Sequence, residues 1–265
     1  MNFIELKKIE NETERVNRTY DIFNEDSRLN HSKAARVEFL TTVHYIEKYL
    51  QEGDKILDIG AGAGEYSLYF ARKGYKVSAL ELADANIAAF RKKLTPEDHI
   101  DLVQGNALDL SRYAENSFDI VLLFGPLYHL ENEADKQNCI SEAKRVCKDG
   151  GKIFFAFISN DFVFLTELAY DVNYFSSGDY DKKTFKLNNF PFVFHTADAA
   201  RALLAGGGIR VLHEVAADGA SELMAERINK MTDEDYAQYL RYHFYTCEKP
   251  ELFGMTNHFL FVGEK

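Results

Sequence analysis

Cysteine is scarce in this chain of 265 residues, and basic charge is in deficit. The three cysteines, Cys139, Cys147 and Cys247, form no C-x-x-C pair. Neither a disulfide framework nor a zinc site is indicated. Cys139 and Cys147 are expected to pack as small apolar residues. Lys and Arg number 31 against 42 Asp and Glu, for a formal net charge of -11. So acidic a chain is a poor holder of nucleic-acid phosphates, and no nucleic-acid partner is favoured. A long apolar run is also missing. The opening "MNFIELKKIENETERVNRTY" has the form of neither a signal peptide nor a transmembrane span. A soluble cytoplasmic protein with no membrane partner is expected.

Apolar residues are plentiful, at 46% with 14% aromatic, enough for one sizeable core. The order of segments predicts a single domain over 1–265. Residues from about Glu12 to Leu50 read as helical, a cover over 1–50, with Ala35, Phe39, Val43, Ile46 and Leu50 on one face. "KILDIGAG" reads as a strand entering glycines, "EYSLYFARKG" as a helix closed by Gly74, and "YKVSALEL" as a second strand. The alternation continues through "ADANIAAFRKKL", "IDLVQGNA", "SFDIVLLFG", a helix over "ENEADKQNCISEAKRVCKDGG" with Ile140, Ala143, Val146 and Cys147 inward, and "GGKIFFAFIS". This rhythm predicts a doubly wound α/β sheet with right-handed crossovers. It breaks at Asn160. Ten aromatics between there and Thr196 mark an inserted lid over 160–195. A helix, a strand, a further helical stretch and the closing strand "NHFLFVGEK" follow.

The glycines of "DIGAGAGEYS" pose the functional question. A dinucleotide turn reads G-x-G-x-x-G, but here Gly64 comes one position early and Glu65 opens the helix. A carboxylate beside a pyrophosphate is unhelpful, so a cationic ligand without phosphate fits better. Glu81 ends the second strand, where a carboxylate can accept from both ribose hydroxyls.

"LDIGAGAG" with Glu81, then "GNALDL" and "FDIVLLFGPLYHL", resembles the class I S-adenosylmethionine-dependent methyltransferases over roughly Leu50 to Ser159. The resemblance implies a seven-stranded Rossmann-like sheet whose last strand runs antiparallel between the fifth and sixth. It implies S-adenosylmethionine as cofactor and methyl transfer to an acceptor. The negative charge and aromatic lid lean toward a small-molecule acceptor. Asp58, Gly60, Ala61, Gly62 and Gly64 would line the methionine part, Glu81 would bind ribose, and Leu82 would pack on adenine. Asn106, in place of the family's aspartate, with Ala107, would meet the adenine amino group. Phe124 and Gly125 would face the methionine amino group.

Tyr128 and His129 follow the fourth strand, where ligands bind in such sheets. His129 is a candidate general base, with the alternative that it braces the loop. Tyr128 is a candidate substrate or cofactor contact. Arg28 and Arg36 are candidates to pair with the methionine carboxylate. His243 and His258 are candidates for the rim of the site, no metal is expected with His129, and His195 is expected at the surface. Two alternative functions stand beside methyl transfer: a nicotinamide-dependent oxidoreductase, and a non-catalytic S-adenosylmethionine-binding protein.

Overall fold

A computed structural model describes residues 3–265. Four strands run parallel at its centre: β1 (Lys55–Ile59), β2 (Lys76–Glu81), β3 (Ile100–Gln104) and β4 (Phe118–Leu123). β1 and β4 are buried along nearly their whole length, as strands covered on both faces must be. β5 (Cys147–Ser159) extends the parallel set. β7 (Arg210–Ala216) and β8 (His258–Glu264) complete the order β3-β2-β1-β4-β5-β8-β7. The terminal strand pairs antiparallel with both neighbours, as the resemblance implied. A two-residue strand, β6 (Phe194–His195), pairs parallel with the end of β5 and makes eight.

The helices α4 (Glu65–Arg72), α5 (Asp84–Lys93), α6 (Glu133–Val146) and α8 (Ala197–Gly206) follow β1, β2, β4 and β6 in the chain. Gly74 has φ 92° just past the end of α4, the left-handed residue of a helix stop. Thr196 caps α8 by accepting from the Ala199 amide. One apolar core joins α6 and α8 to the sheet through Ile140, Ala143, Leu203, Leu204, Phe155 and Phe261. A second joins Phe39, Ile46, Phe70, Ile120, Phe154 and Leu260. Cys139 and Cys147 are buried in the first, and burial pushes both thiols up to about 12.

The N-terminal cover is less continuous than its periodicity suggests. It divides into α1 (Phe3–Leu6), α2 (Glu12–Thr19), a 3₁₀ turn at Glu25–Ser27 and α3 (Arg36–Glu47). Asn11 accepts from the Glu14 amide and Asn24 from the Asp26 amide. Short polar side chains that bond the backbone locally start helices and interrupt them. On α3, Phe39, Val43 and Ile46 are buried as expected, while Ala35 and Leu50 lie outside the helix.

The aromatic stretch from Asn160 holds α7 (Val163–Tyr170) and a 3₁₀ turn at Tyr174–Ser176. Phe164, Tyr174, Tyr180 and Leu187 form a small core of their own. His195, expected at the surface, is buried in β6 against Phe157, and burial drops its pKa to about 4. Between β7 and β8 lie α9 (Ala225–Ile228) and α10 (Asp233–Thr246). No helix among the described residues is long and apolar enough to cross a membrane.

Candidate active site

The three glycines of the β1–α4 turn all have positive φ, but they serve different ends. A Cβ on Gly60 would lie 2.4 Å from the Phe124 carbonyl oxygen and 2.7 Å from Pro126, so the turn packs directly on the exit of β4. A Cβ on Gly64 would fall 2.4 Å from the Phe90 ring of α5. Gly64 therefore lets two helices approach, and only Gly60 and Gly62 reach the cavity at the carboxyl ends of the strands. Ala61 is buried behind the turn with Phe90 and Leu68.

Two buried carboxylates flank this turn. Glu81 accepts from the amides of Gly62 at 2.8 Å and Ala83 at 2.7 Å. Burial raises its pKa, and those two amides oppose the rise. Asp58 accepts from the Ser67 hydroxyl at 2.7 Å through one oxygen, while its Oδ1 is buried with no partner among the described residues. Burial raises Asp58 to about 7 against the Ser67 bond. An unpartnered buried carboxylate oxygen is costly, and a cationic group would relieve it. Glu65 plays no part in this: its carboxylate meets Lys93 at 2.5 Å and the Asn30 amide.

The cavity, of ≈ 330 Å³, runs from the glycine turn across the ends of β2 and β3. Leu82, Asn106, Ala107 and Leu108 line one end. The Asn106 side-chain oxygen accepts from the Leu108 amide at 3.0 Å. Gly125, Pro126, Tyr128 and His129 line the other end. Gly125, with φ 116°, turns the chain out of β4 into the 3₁₀ turn Pro126–Tyr128. Phe124 is buried against Tyr66, outside the cavity.

His129 Nε2 lies 2.7 Å from the Tyr20 hydroxyl, and its ring packs on Phe192 of the insertion. Burial alone lowers its pKa to about 4. It is therefore a neutral imidazole already engaged with a phenol. The Tyr128 hydroxyl is pushed above its ordinary value by burial, with Arg28 pulling the other way. Arg28 is not in the cavity lining. Its Nε donates to Glu25 at 2.8 Å, and its Nη1 and Nη2 donate to the two oxygens of Glu38 at 2.7 and 3.3 Å. His258, Asp218 and Glu38 converge beside it, their ligand atoms within 4.8 Å of one another. His243, on α10, is buried and lines a separate cavity.

Half of the wall contributors that pattern reading passed over come from the N-terminal cover: Asn11, Glu12, Thr13, Val16, Tyr20 and Glu25. Asn11 and Asn24, each followed by acids, were legible as helix starts, but nothing local says that such a helix lies across a distant cavity.

Among the described residues the cavity wall has four carboxylates, from Glu12, Glu25, Glu81 and Asp135, and neither Lys nor Arg. A pyrophosphate would meet only repulsion there, whereas an ammonium and a sulfonium would be welcome. The residues present fit S-adenosylmethionine. Residues 57–155 match the family model described as "Methyltransferase domain". Over that segment the chain is similar to the class I S-adenosylmethionine-dependent methyltransferases.

Its relatives include a demethylmenaquinone methyltransferase of Clavibacter sepedonicus, 32% identical over 121 residues, covering 45% of this chain and 47% of the relative. A ubiquinone/menaquinone biosynthesis C-methyltransferase UbiE of Legionella pneumophila is 31% identical, covering 56% and 58%. The chain thus spans about half the length of the curated relatives it matches. Among solved structures, the [4+2]-cyclase SpnF aligns with a TM-score of 0.60 at 16% identity over 96% of both chains. A S-adenosylmethionine-dependent methyltransferase of Methanosarcina mazei aligns at 0.53 and 19% identity, covering 83% and 96%. These structural likenesses establish the fold.

Proposed function

We propose that the protein transfers a methyl group from S-adenosylmethionine to a small-molecule acceptor in the cytoplasm. The observation that carries this reading is the cavity beside the glycine turn, rich in carboxylates and free of Lys and Arg among its lining residues. When bound, the cofactor supplies an electrophilic methyl on a sulfonium. Glu81 would take the ribose hydroxyls, Leu82 and Ala107 the faces of the adenine, and the Asn106 amide its edge. Gly60, Gly62 and Gly125 would let the backbone approach the methionine part, with Asp58 drawn to its ammonium. Gly64, Ala61 and Phe124 would shape this pocket from behind rather than touch the ligand, and Arg28 would act from its Glu25–Glu38 cluster. Methyl transfer of this kind depends on aligning a nucleophile with the methyl carbon. Tyr128 stands at that end of the cavity, and His129 braces it through Tyr20.

The relatives named for quinone methylation support a quinone-type acceptor. Incubation with S-adenosylmethionine and a panel of reduced naphthoquinones, simple phenols and amines tests the reading. S-adenosylhomocysteine should form with at least one hydroxylated aromatic acceptor. No turnover with any member, by protein that binds S-adenosylhomocysteine, would favour the non-catalytic alternative.

A further inference from the structure

A second cavity, of ≈ 370 Å³, opens between the N-terminal end of α3 and the turn after β7. Arg28, Glu38, Asp218 and His258 form part of its wall, and Tyr170 of the insertion also lines it. A waist of ≈ 20 Å³ beside Tyr66, Phe124 and Tyr128 adjoins it, sharing Arg28, Glu38 and His258 with this cavity and Tyr128 with the cofactor cavity.

The hydrogen-bond accounting on this wall is one-sided. Both oxygens of Glu38 take Arg28. Asp218 Oδ1 accepts from the amides of Asn257 at 3.0 Å and His258 at 3.2 Å, and from the Thr256 hydroxyl. Its Oδ2 accepts from His258 Nδ1 at 2.8 Å. Glu222 takes the Asn257 amide at 2.5 Å and the Tyr170 hydroxyl at 3.3 Å. The carboxylates are thus engaged within the protein. Among the described residues, the polar contacts of the His258 ring all run through Nδ1, to Asp218 and Glu38. Because a carboxylate fixes the proton on Nδ1, the neutral ring leaves its lone pair on Nε2.

We propose, building on the methyltransferase reading, that this cavity seats the acceptor, that the acceptor carries an ionisable phenolic or enolic hydroxyl, and that His258 takes that proton at Nε2 while Asp218 positions the ring. The O–H bond breaks and its proton moves to Nε2. The electron pair left on oxygen, or on the carbon conjugated with it, bonds to the methyl carbon. The methyl–sulfur bond breaks with its pair staying on sulfur. A carbon so methylated sheds its own proton to water, and the imidazolium releases its proton to solvent. Burial depresses the His258 pKa, but Glu38 and Asp218 outweigh burial and Arg28 and hold it at about 9. His31, Tyr66, Tyr128, Tyr170 and Glu222 are the other titratable groups around this wall among the described residues. The productive complex has one proton fewer than imidazolium plus neutral hydroxyl, so kcat/KM should climb with pH toward about 9.

The test uses 4-nitrophenol, whose ionised form absorbs visibly, added to the whole protein saturated with S-adenosylhomocysteine. Bound probe should be about tenfold more ionised than free probe at the same pH. His258→Gln should abolish the effect and Asp218→Asn should reduce it roughly threefold or more, with the S-adenosylhomocysteine thermal shift retained in both. No excess ionisation in the wild type, or an undiminished excess in His258→Gln, overturns the proposal. So does an excess that needs added zinc or magnesium and vanishes with a chelator, which would make Glu38, Asp218 and His258 a metal site. A His258-dependent excess in protein that binds no S-adenosylhomocysteine would overturn the methyltransferase reading and leave the proton chemistry of the cavity standing.

Discussion

Asp58 stands at the conflict between stability and binding. Its folded pKa of about 7 lies above the ordinary carboxylate value of 3.8. A carboxylate raised on folding costs stability progressively as pH rises from the unfolded value through the folded one. Asp58→Asn keeps an acceptor for Ser67 and removes the buried charge. The free protein should gain about 1–3 kcal/mol at pH 8, while affinity for S-adenosylmethionine falls. Thermal melts with and without cofactor check both, and a less stable Asp58→Asn protein would contradict the account. His129 has the opposite sign. Its pKa of about 4 means that the folded protein holds it neutral, so its stabilising share is present above about 6.5 and fades as pH falls toward 4. His129→Asn should cost about 1–3 kcal/mol through the orphaned Tyr20 hydroxyl, with turnover per folded molecule nearly kept. A loss of a hundredfold or more at full stability would make His129 the base after all. The residue types at this site were legible in the sequence, because Asp58, Glu81 and the glycines cluster within one turn and the next strand. Their division of labour was not. Whether a glycine faces ligand or helix depends on Phe90, a residue of the next helix.

At the scale of elements, the parallel core was readable because each strand is a compact apolar run with a helix of its own period behind it. The cover was harder. Its apolar spacing suited one long helix, and only the asparagine caps reveal the breaks. The stretch 160–195 stands out in the sequence by composition alone, and its apolar cluster of Phe164, Tyr174, Tyr180 and Leu187 accounts for part of that concentration of aromatics. Among the described residues it contributes none to the cofactor cavity lining, and it meets that wall from behind, through the Phe192 ring on Tyr128 and His129 and the Val193 amide donating to the Tyr128 carbonyl at 2.8 Å. Replacing residues 160–195 with a short linker should therefore leave S-adenosylhomocysteine affinity within about threefold, and abolish methyl transfer through loss of Tyr170 and the wall it completes. Calorimetric titration of the shortened protein decides this. Lost cofactor binding in a folded variant would place the insertion over the donor site instead.

For the whole molecule, the fold leaves the chemistry open, since structures as similar as a [4+2]-cyclase share it. What points to a ligand is the sign of charge around the cavity. The formal net charge of -11 runs through to the site itself, where four carboxylates face the ligand space. That arrangement repels phosphates and favours a sulfonium. The most direct measurement is calorimetric titration of the wild type and of Glu81→Ala with S-adenosylhomocysteine and with NAD. The account predicts saturable S-adenosylhomocysteine binding, a loss of roughly 1–3 kcal/mol in Glu81→Ala, and no binding of NAD. Tight NAD binding, or S-adenosylhomocysteine affinity indifferent to Glu81, would contradict it.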